Sequence, residues 1–166
     1  MNFLQKMFCI LLAVSCLSIT ACDSGSPPEP ARAQEDLTAE ILGEAMVAVS
    51  GAKDTLTPLN ELVMLNLYDF DPAFSDDYRV YYDLTGSSID EIAVFHASNA
   101  DAKKELEEML QGRIETIRAT MELDPGNYEA ELKMLENSKI LVSGDYIALV
   151  ITTDVGAVEK AFKDNF

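Results

Sequence analysis

Four groups of side chains in this sequence have types and spacings that bear on chemistry. They are the acids Asp69, Asp71, Asp76 and Asp77, the single histidine His96, the adjacent pairs Asp90/Glu91 and Glu107/Glu108, and the aromatics between Tyr68 and Tyr82. Asp69-x-Asp71 has the spacing that begins an EF-hand calcium loop. Pro72 interrupts it and Ala73 stands where the third ligand belongs, so that pattern fails. Helix capping and solvation are the favoured reading of these acids, with weak calcium binding through another geometry left open. His96 alternates with Ile92 and Val94 on one strand face. A general base is chemically conceivable there. A structural histidine near a strand end is the favoured reading, and no second histidine exists to form a metal pair. Adjacent carboxylates serve acid–base work only where a cleft perturbs them.

Cys9, Cys16 and Cys22 all lie within or directly after the N-terminal apolar run. The rest of the chain has no cysteine, which excludes a disulfide scaffold, a cysteine zinc site and a Cys–His pair there. Beyond Cys22 there is no glycine-rich phosphate loop and no G-x-S-x-G. No catalytic residue, metal site or cofactor is therefore nominated. The aromatics are the best candidates for recognition. Phe70, Phe74, Tyr78 and Tyr82 recur at i+4 with Tyr81 alongside, which predicts a helix from about Pro72 with an aromatic stripe. Phe74, Tyr78, Tyr81 and Tyr82 are the candidate ligand-binding residues, for a hydrophobic or glycan ligand or a partner helix. Packing into the core against the sheet is the favoured reading of these aromatics.

One residue has a nameable covalent chemistry. Met1–Lys6 carries one positive charge, and an apolar stretch from Met7 to Leu17 follows. That stretch is short of the roughly 20 apolar residues of a transmembrane helix and matches a signal peptide. It closes on Ile19-Thr20-Ala21-Cys22, which resembles a bacterial lipobox: an aliphatic residue three before the cysteine, then two small ones. Such signals imply diacylglyceryl modification of the Cys22 thiol and cleavage before it. Cys16 would leave too short an apolar region. Two or more acyl chains on one cysteine anchor stably, where one is marginal.

The expected organisation is a lipoprotein signal peptide over 1–21, the lipidated cysteine with a disordered tether over 22–36, and one acidic domain over 37–166. The tether, DSGSPPEPARAQED after Cys22, is rich in proline and small polar residues and has nothing large to bury. Residues 1–21 hold one positive charge and no acid, so their removal takes the formal charge from −17 to −18. That surface repels phosphate backbones and anionic headgroups, which excludes nucleic acid as a partner and favours cations or basic partners.

Within the domain, Thr38 is the expected N-cap of a helix to Ser50, with Leu37, Ile41, Ala45 and Val49 as its apolar stripe. Pro58 is expected to start a short helix to Leu67. Residues 91–97 alternate as a strand. A long helix from about Ser98 to Leu123 follows, burying Ala102, Leu106, Met109, Leu110, Ile114, Ile117 and Met121, with Gly112 at a close helix–sheet contact. Asp124-Pro125-Gly126-Asn127 breaks it, and a shorter helix runs from Tyr128 to Glu136. Strands over 139–143 and 146–152 are joined at Gly144-Asp145, and a last helix capped by Asp154 carries Val155, Val158 and Phe162. The fold class is thus α+β: a small three-stranded antiparallel or mixed sheet packed against several helices in a single domain.

The run Asp90-Glu91-Ile92-Ala93-Val94-Phe95, the acidic helix after it, Asn137-Ser138-Lys139, Val142-Ser143-Gly144-Asp145-Tyr146 and Val158-Glu159-Lys160-Ala161-Phe162 together resemble a known family. It is the domain of unknown function numbered four-three-five-eight, common in lipoproteins of Gram-positive bacteria, and the resemblance spans Leu37 to Phe166. It implies the fold and the lipoprotein context but no activity and no catalytic residue. The expected function is a lipid-anchored protein on the extracytoplasmic face of the cell membrane, a non-enzymatic binding or interaction module with an envelope protein among its expected partners. The alternative is a small hydrolase or a divalent-cation-dependent enzyme using acids around 69–77 or 90–91.

Overall fold

The computed structural model of the chain describes residues 36–166. The signal peptide, Cys22 and the tether up to Gln34 and Glu35 lie outside the described residues. The chain runs α1 (Ala39–Val49), β1 (Leu56–Pro58), α2 (Glu61–Tyr68), a 3-10 turn (Pro72–Phe74), β2 (Ser75–Asp83), β3 (Glu91–Ala97), α3 (Ala100–Met121), α4 (Glu129–Glu136), β4 (Lys139–Ser143), β5 (Tyr146–Ile151) and α5 (Val155–Lys163). The sheet is five-stranded and antiparallel throughout, in the order β1-β2-β3-β5-β4. The α+β class holds, and the three expected strands are β3, β4 and β5. Two further strands, β1 and β2, extend the sheet on one side.

Helices cover both faces. On one face α2, α3 and α4 pack over Val80, Ala93, Phe95, Ile147, Leu149 and Ile151. On the other, α1 and α5 pack over Tyr81, Ile92, Val94, Ala148 and Val150. This explains the nearly continuous apolar run of β5, since a strand buried on both faces has no polar alternation to show. The β4–β5 turn has Gly144 at φ +55° and Asp145 at negative φ, so only the first central residue needs the left-handed region. That is the pattern of a type II′ turn.

Several expectations are corrected. Residues 75–83 form a strand, not a helix, because an i+4 spacing is also an even spacing and fits a period of two as well as one of 3.6. The tyrosine- and valine-rich composition then favours the strand. Pro58 ends the edge strand β1, where its missing N–H costs no ladder bond, and α2 is capped instead by Asn60, whose side chain accepts from the Val63 N–H at 3.0 Å. α1 has the expected Thr38 cap, but it buries Ala39, Leu42, Gly43 and Met46 while Ile41 and Val49 face solvent. The close approach belongs to Gly43 and not Gly112. A Cβ on Gly43 would stand 2.6 Å from Tyr81 Cε2, whereas one on Gly112 would meet nothing within 4 Å. α3 is capped by Asn99, whose side chain accepts from the Asp101 and Ala102 N–H groups. Asp154 does not cap α5 with its side chain; its Oδ2 accepts from the Gly51 N–H at 3.1 Å and ties α1 to α5.

Candidate functional site

The alternation of β3 decides the site. Glu91 shares a face with Ala93, Phe95 and Ala97, so it points into the α2–α3 layer and not toward water. It is fully buried, and a carboxylate taken out of water must be paired and hydrogen-bonded. α3 supplies the pair. Arg113 sits one residue before Ile114 on the helix face that carries Leu106 and Leu110, and its side chain is 9% exposed. Its Nε donates to Glu91 Oε1 at 3.2 Å and its Nη2 to Oε2 at 2.7 Å, a side-on bidentate contact. Tyr68, the last residue of α2, donates its hydroxyl to Oε1. The guanidinium also lies 5.7 Å from the Tyr68 ring centre and 5.9 Å from that of Tyr82. Burial, together with the neighbouring Glu91 charge, holds the Tyr68 hydroxyl well above its usual range. Burial acts to lower the Arg113 value, and the hydrogen bonds and charge of Glu91 outweigh it, so the guanidinium stays charged.

Arg113 brings this network to two hollows, which share Leu67, Arg113 and Thr116; Tyr68 lines the larger. The larger, about 450 Å³, opens between α2 and α3 and has Phe74, Met109 and Gly112 in its walls. The smaller, about 230 Å³, is lined by Tyr82, Ile89 and Met121. A third cleft of about 470 Å³ lies between α4, β4 and the start of α5. It holds no buried charged group: Lys133 is exposed, and Lys139 is engaged by Glu159.

The four nominated aromatics do not form one stripe. Phe74, Tyr78 and Tyr82 are half-buried on the α2–α3 side; Phe74 borders the larger hollow, Tyr82 the smaller, and Tyr78 a separate one of about 220 Å³ beside Glu61 and Met64. Tyr81 points to the opposite face and is buried against α1. The acids of 69–77 mostly serve as caps and pins. Asp71 Oδ1 accepts from the Ala73 N–H at 2.9 Å, Asp77 Oδ2 from the Ala39 N–H at 2.6 Å, and Asp69 closes α2 at φ +50°. His96 lies on the α1–α5 side, its Nδ1 2.6 Å from Asp76 Oδ1 and its ring centre 4.6 Å from that of Tyr146 at a tilt of 48°. Asp90 accepts from Ser88 through Oδ2, while its buried Oδ1 has no partner among the described residues. Among the described residues, no three His, Cys, Asp or Glu side chains are grouped to hold a metal ion. Arg113 and Tyr68 were not nominated from sequence. The signal that could have found Arg113 is a charge on the apolar stripe of α3, matched by a charge at an inward position of β3.

The fold and site define an acidic α/β/α-layered domain with a buried Glu–Arg–Tyr network under a helix–helix groove. The sequence matches Domain of unknown function (DUF4358) over residues 50–152, and the chain belongs to that family. The matched stretch contains the whole sheet, α2, α3, α4 and every member of the network; α1 and α5 flank it. No curated protein and no solved structure matches the chain.

Proposed function

We propose that this protein is a lipid-anchored binding module on the extracytoplasmic face of the cell membrane, held there through Cys22 and recognising its partner with the α2–α3 groove. The observation that carries the binding reading is how the ionisable groups under the groove are used. Both Glu91 oxygens are taken up by Arg113 and Tyr68, and the Tyr68 hydroxyl is held far above neutral pH. A general base must reach a bound substrate, and Glu91 is fully buried, held by Arg113 and Tyr68, and absent from the groove lining. What the groove offers is fixed hydrogen-bond donors between apolar walls, the composition of a recognition site. The anchor and tether would place that site outside the membrane plane, within reach of another envelope protein. Among the described residues, no helix is long and apolar enough to cross a membrane.

The second reading, a cation-dependent enzyme, draws support from Asp69, Asp71, Glu105 and Glu108, which line the same groove. The two readings separate on addition of a divalent cation: the enzyme reading requires saturable binding that perturbs these carboxylates, and the binding-module reading requires none. The anchor is tested by metabolic labelling with a palmitate analogue. The label must disappear in Cys22→Ser, which must also leave the membrane fraction, and must persist in Cys16→Ser. Persistence of label in Cys22→Ser would refute the anchor.

A further inference from the structure

The groove carries different chemistry at different depths. At the floor, Arg113 commits Nε and Nη2 to Glu91, and Nη1 has no hydrogen-bond partner among the described residues. Above it stand the apolar walls Leu67, Phe74 and Met109, with open space over Gly112. At the rim are four exposed carboxylates, Asp69 and Asp71 after α2 and Glu105 and Glu108 on α3. Apart from Arg113, whose charge Glu91 matches, no basic side chain lines the groove.

The order of these layers selects the ligand. An anion would have to pass four like charges to reach a guanidinium that is already neutralised. A cation meets opposite charge first, in a cleft with low-dielectric walls that focus the field. A hydrocarbon stem would then lie against Leu67, Phe74 and Met109 while its charged head stays at the wet rim, the arrangement amphipathic side chains adopt at protein surfaces. The two N–H groups of Arg113 Nη1 are left for a neutral acceptor such as an amide carbonyl. We infer that the α2–α3 groove binds a primary alkylammonium group on a short hydrocarbon stem, the chemistry of a lysine-type side chain, with Arg113 Nη1 open to an amide carbonyl where the ammonium belongs to a residue in a chain. This rests on the groove being the recognition face, and it names the ligand class of that face. The ammonium belongs either to a residue within a polypeptide or to a free diamine, and the two differ in whether the carbonyl is present.

The test is an NMR titration of the full-length protein in detergent micelles. The probes are N-acetyl-lysine methylamide, the norleucine counterpart without the ammonium, and 1,5-diaminopentane. The lysine probe is expected to shift the Asn66, Met109 and Gly112 amides saturably, with norleucine about tenfold weaker or more. The double variant Glu105→Gln, Glu108→Gln changes only exposed helix positions; it should weaken the lysine probe about threefold or more with its melting temperature unchanged. Equal binding by diaminopentane assigns a free diamine, and weaker binding assigns a residue in a chain; both uphold the ammonium class. Norleucine binding as tightly as lysine would overturn that class and leave the groove as the recognition face. No saturable shift from any probe at these amides would overturn the groove itself, and the acyl-labelling result stands independently of both.

Discussion

Replacing Arg113 with Met strikes the account at its centre. Methionine keeps much of the stem's volume and removes the charge, leaving Glu91 fully buried with only the Tyr68 hydroxyl as a partner. Removing one member of a buried pair costs about 3–5 kcal/mol, because the remaining charge keeps its desolvation penalty. Here the lower half of that range applies, since the groove lets water reach the vacated side. For a domain of this size the melting temperature should fall by about 10 °C. The measurement is urea denaturation followed by circular dichroism, read as a change in midpoint at constant slope. The triple variant Tyr68→Phe, Glu91→Leu, Arg113→Met removes every polar member together and should recover most of the loss. A single variant costing under about 1 kcal/mol, or a triple as unstable as the summed parts, would refute the reasoning.

Three more substitutions test separate parts of the structure. Gly43→Ala drives a methyl into the buried Tyr81 ring and should cost about 1–3 kcal/mol by denaturant melting, with partial rescue by Tyr81→Leu. Gly112→Ala meets no atom and removes a flexible residue from the middle of α3, so it should stabilise by up to about 1 kcal/mol while filling the groove and weakening the lysine probe. Glu159 is held at about 2 by hydrogen bonds from Lys139 and then Lys163. A depressed folded-state value stabilises above the unfolded one and is lost as pH falls through it. Glu159→Gln should therefore lower the midpoint at neutral pH, and the difference should close between about pH 4.5 and pH 2 in a melting series.

The legible parts of the sequence are those where one pattern has one structural meaning. The alternation of 91–97 and the apolar run of 146–152 led to the correct strands, and the stripe Ala102, Leu106, Leu110, Ile114, Ile117 and Met121 to the buried side of α3, with the expected Met109 only half-buried. The failures are degeneracies of spacing. Tyr78 and Tyr82, four apart, share a face in a helix and in a strand alike, so β2 was read as helical. α1 is apolar nearly all round, and the stripe containing Ile41 and Val49 competes with the one containing Leu42 and Met46; only the packing of α1 against β2, β3 and α5 chooses between them. Glycine spacing does not reveal which glycine another chain segment approaches, since that depends on Tyr81, 38 positions beyond Gly43. The network escaped for a related reason. Asp90/Glu91 reads in sequence only as an adjacent acidic pair, and the registration of β3 against α3 that brings Glu91 to Arg113 is a tertiary fact.

The most direct test of a tethered module with one recognition face is site-specific photo-crosslinking in intact cells. A photoreactive amino acid is placed at Met109 in the groove wall and, separately, at the exposed Ala48 on α1, on the opposite side of the sheet. The account predicts an adduct from position 109 that competes with the lysine probe, depends on Cys22, and has no counterpart from position 48. Equal adducts from both positions, or an adduct from position 48 alone, would contradict it.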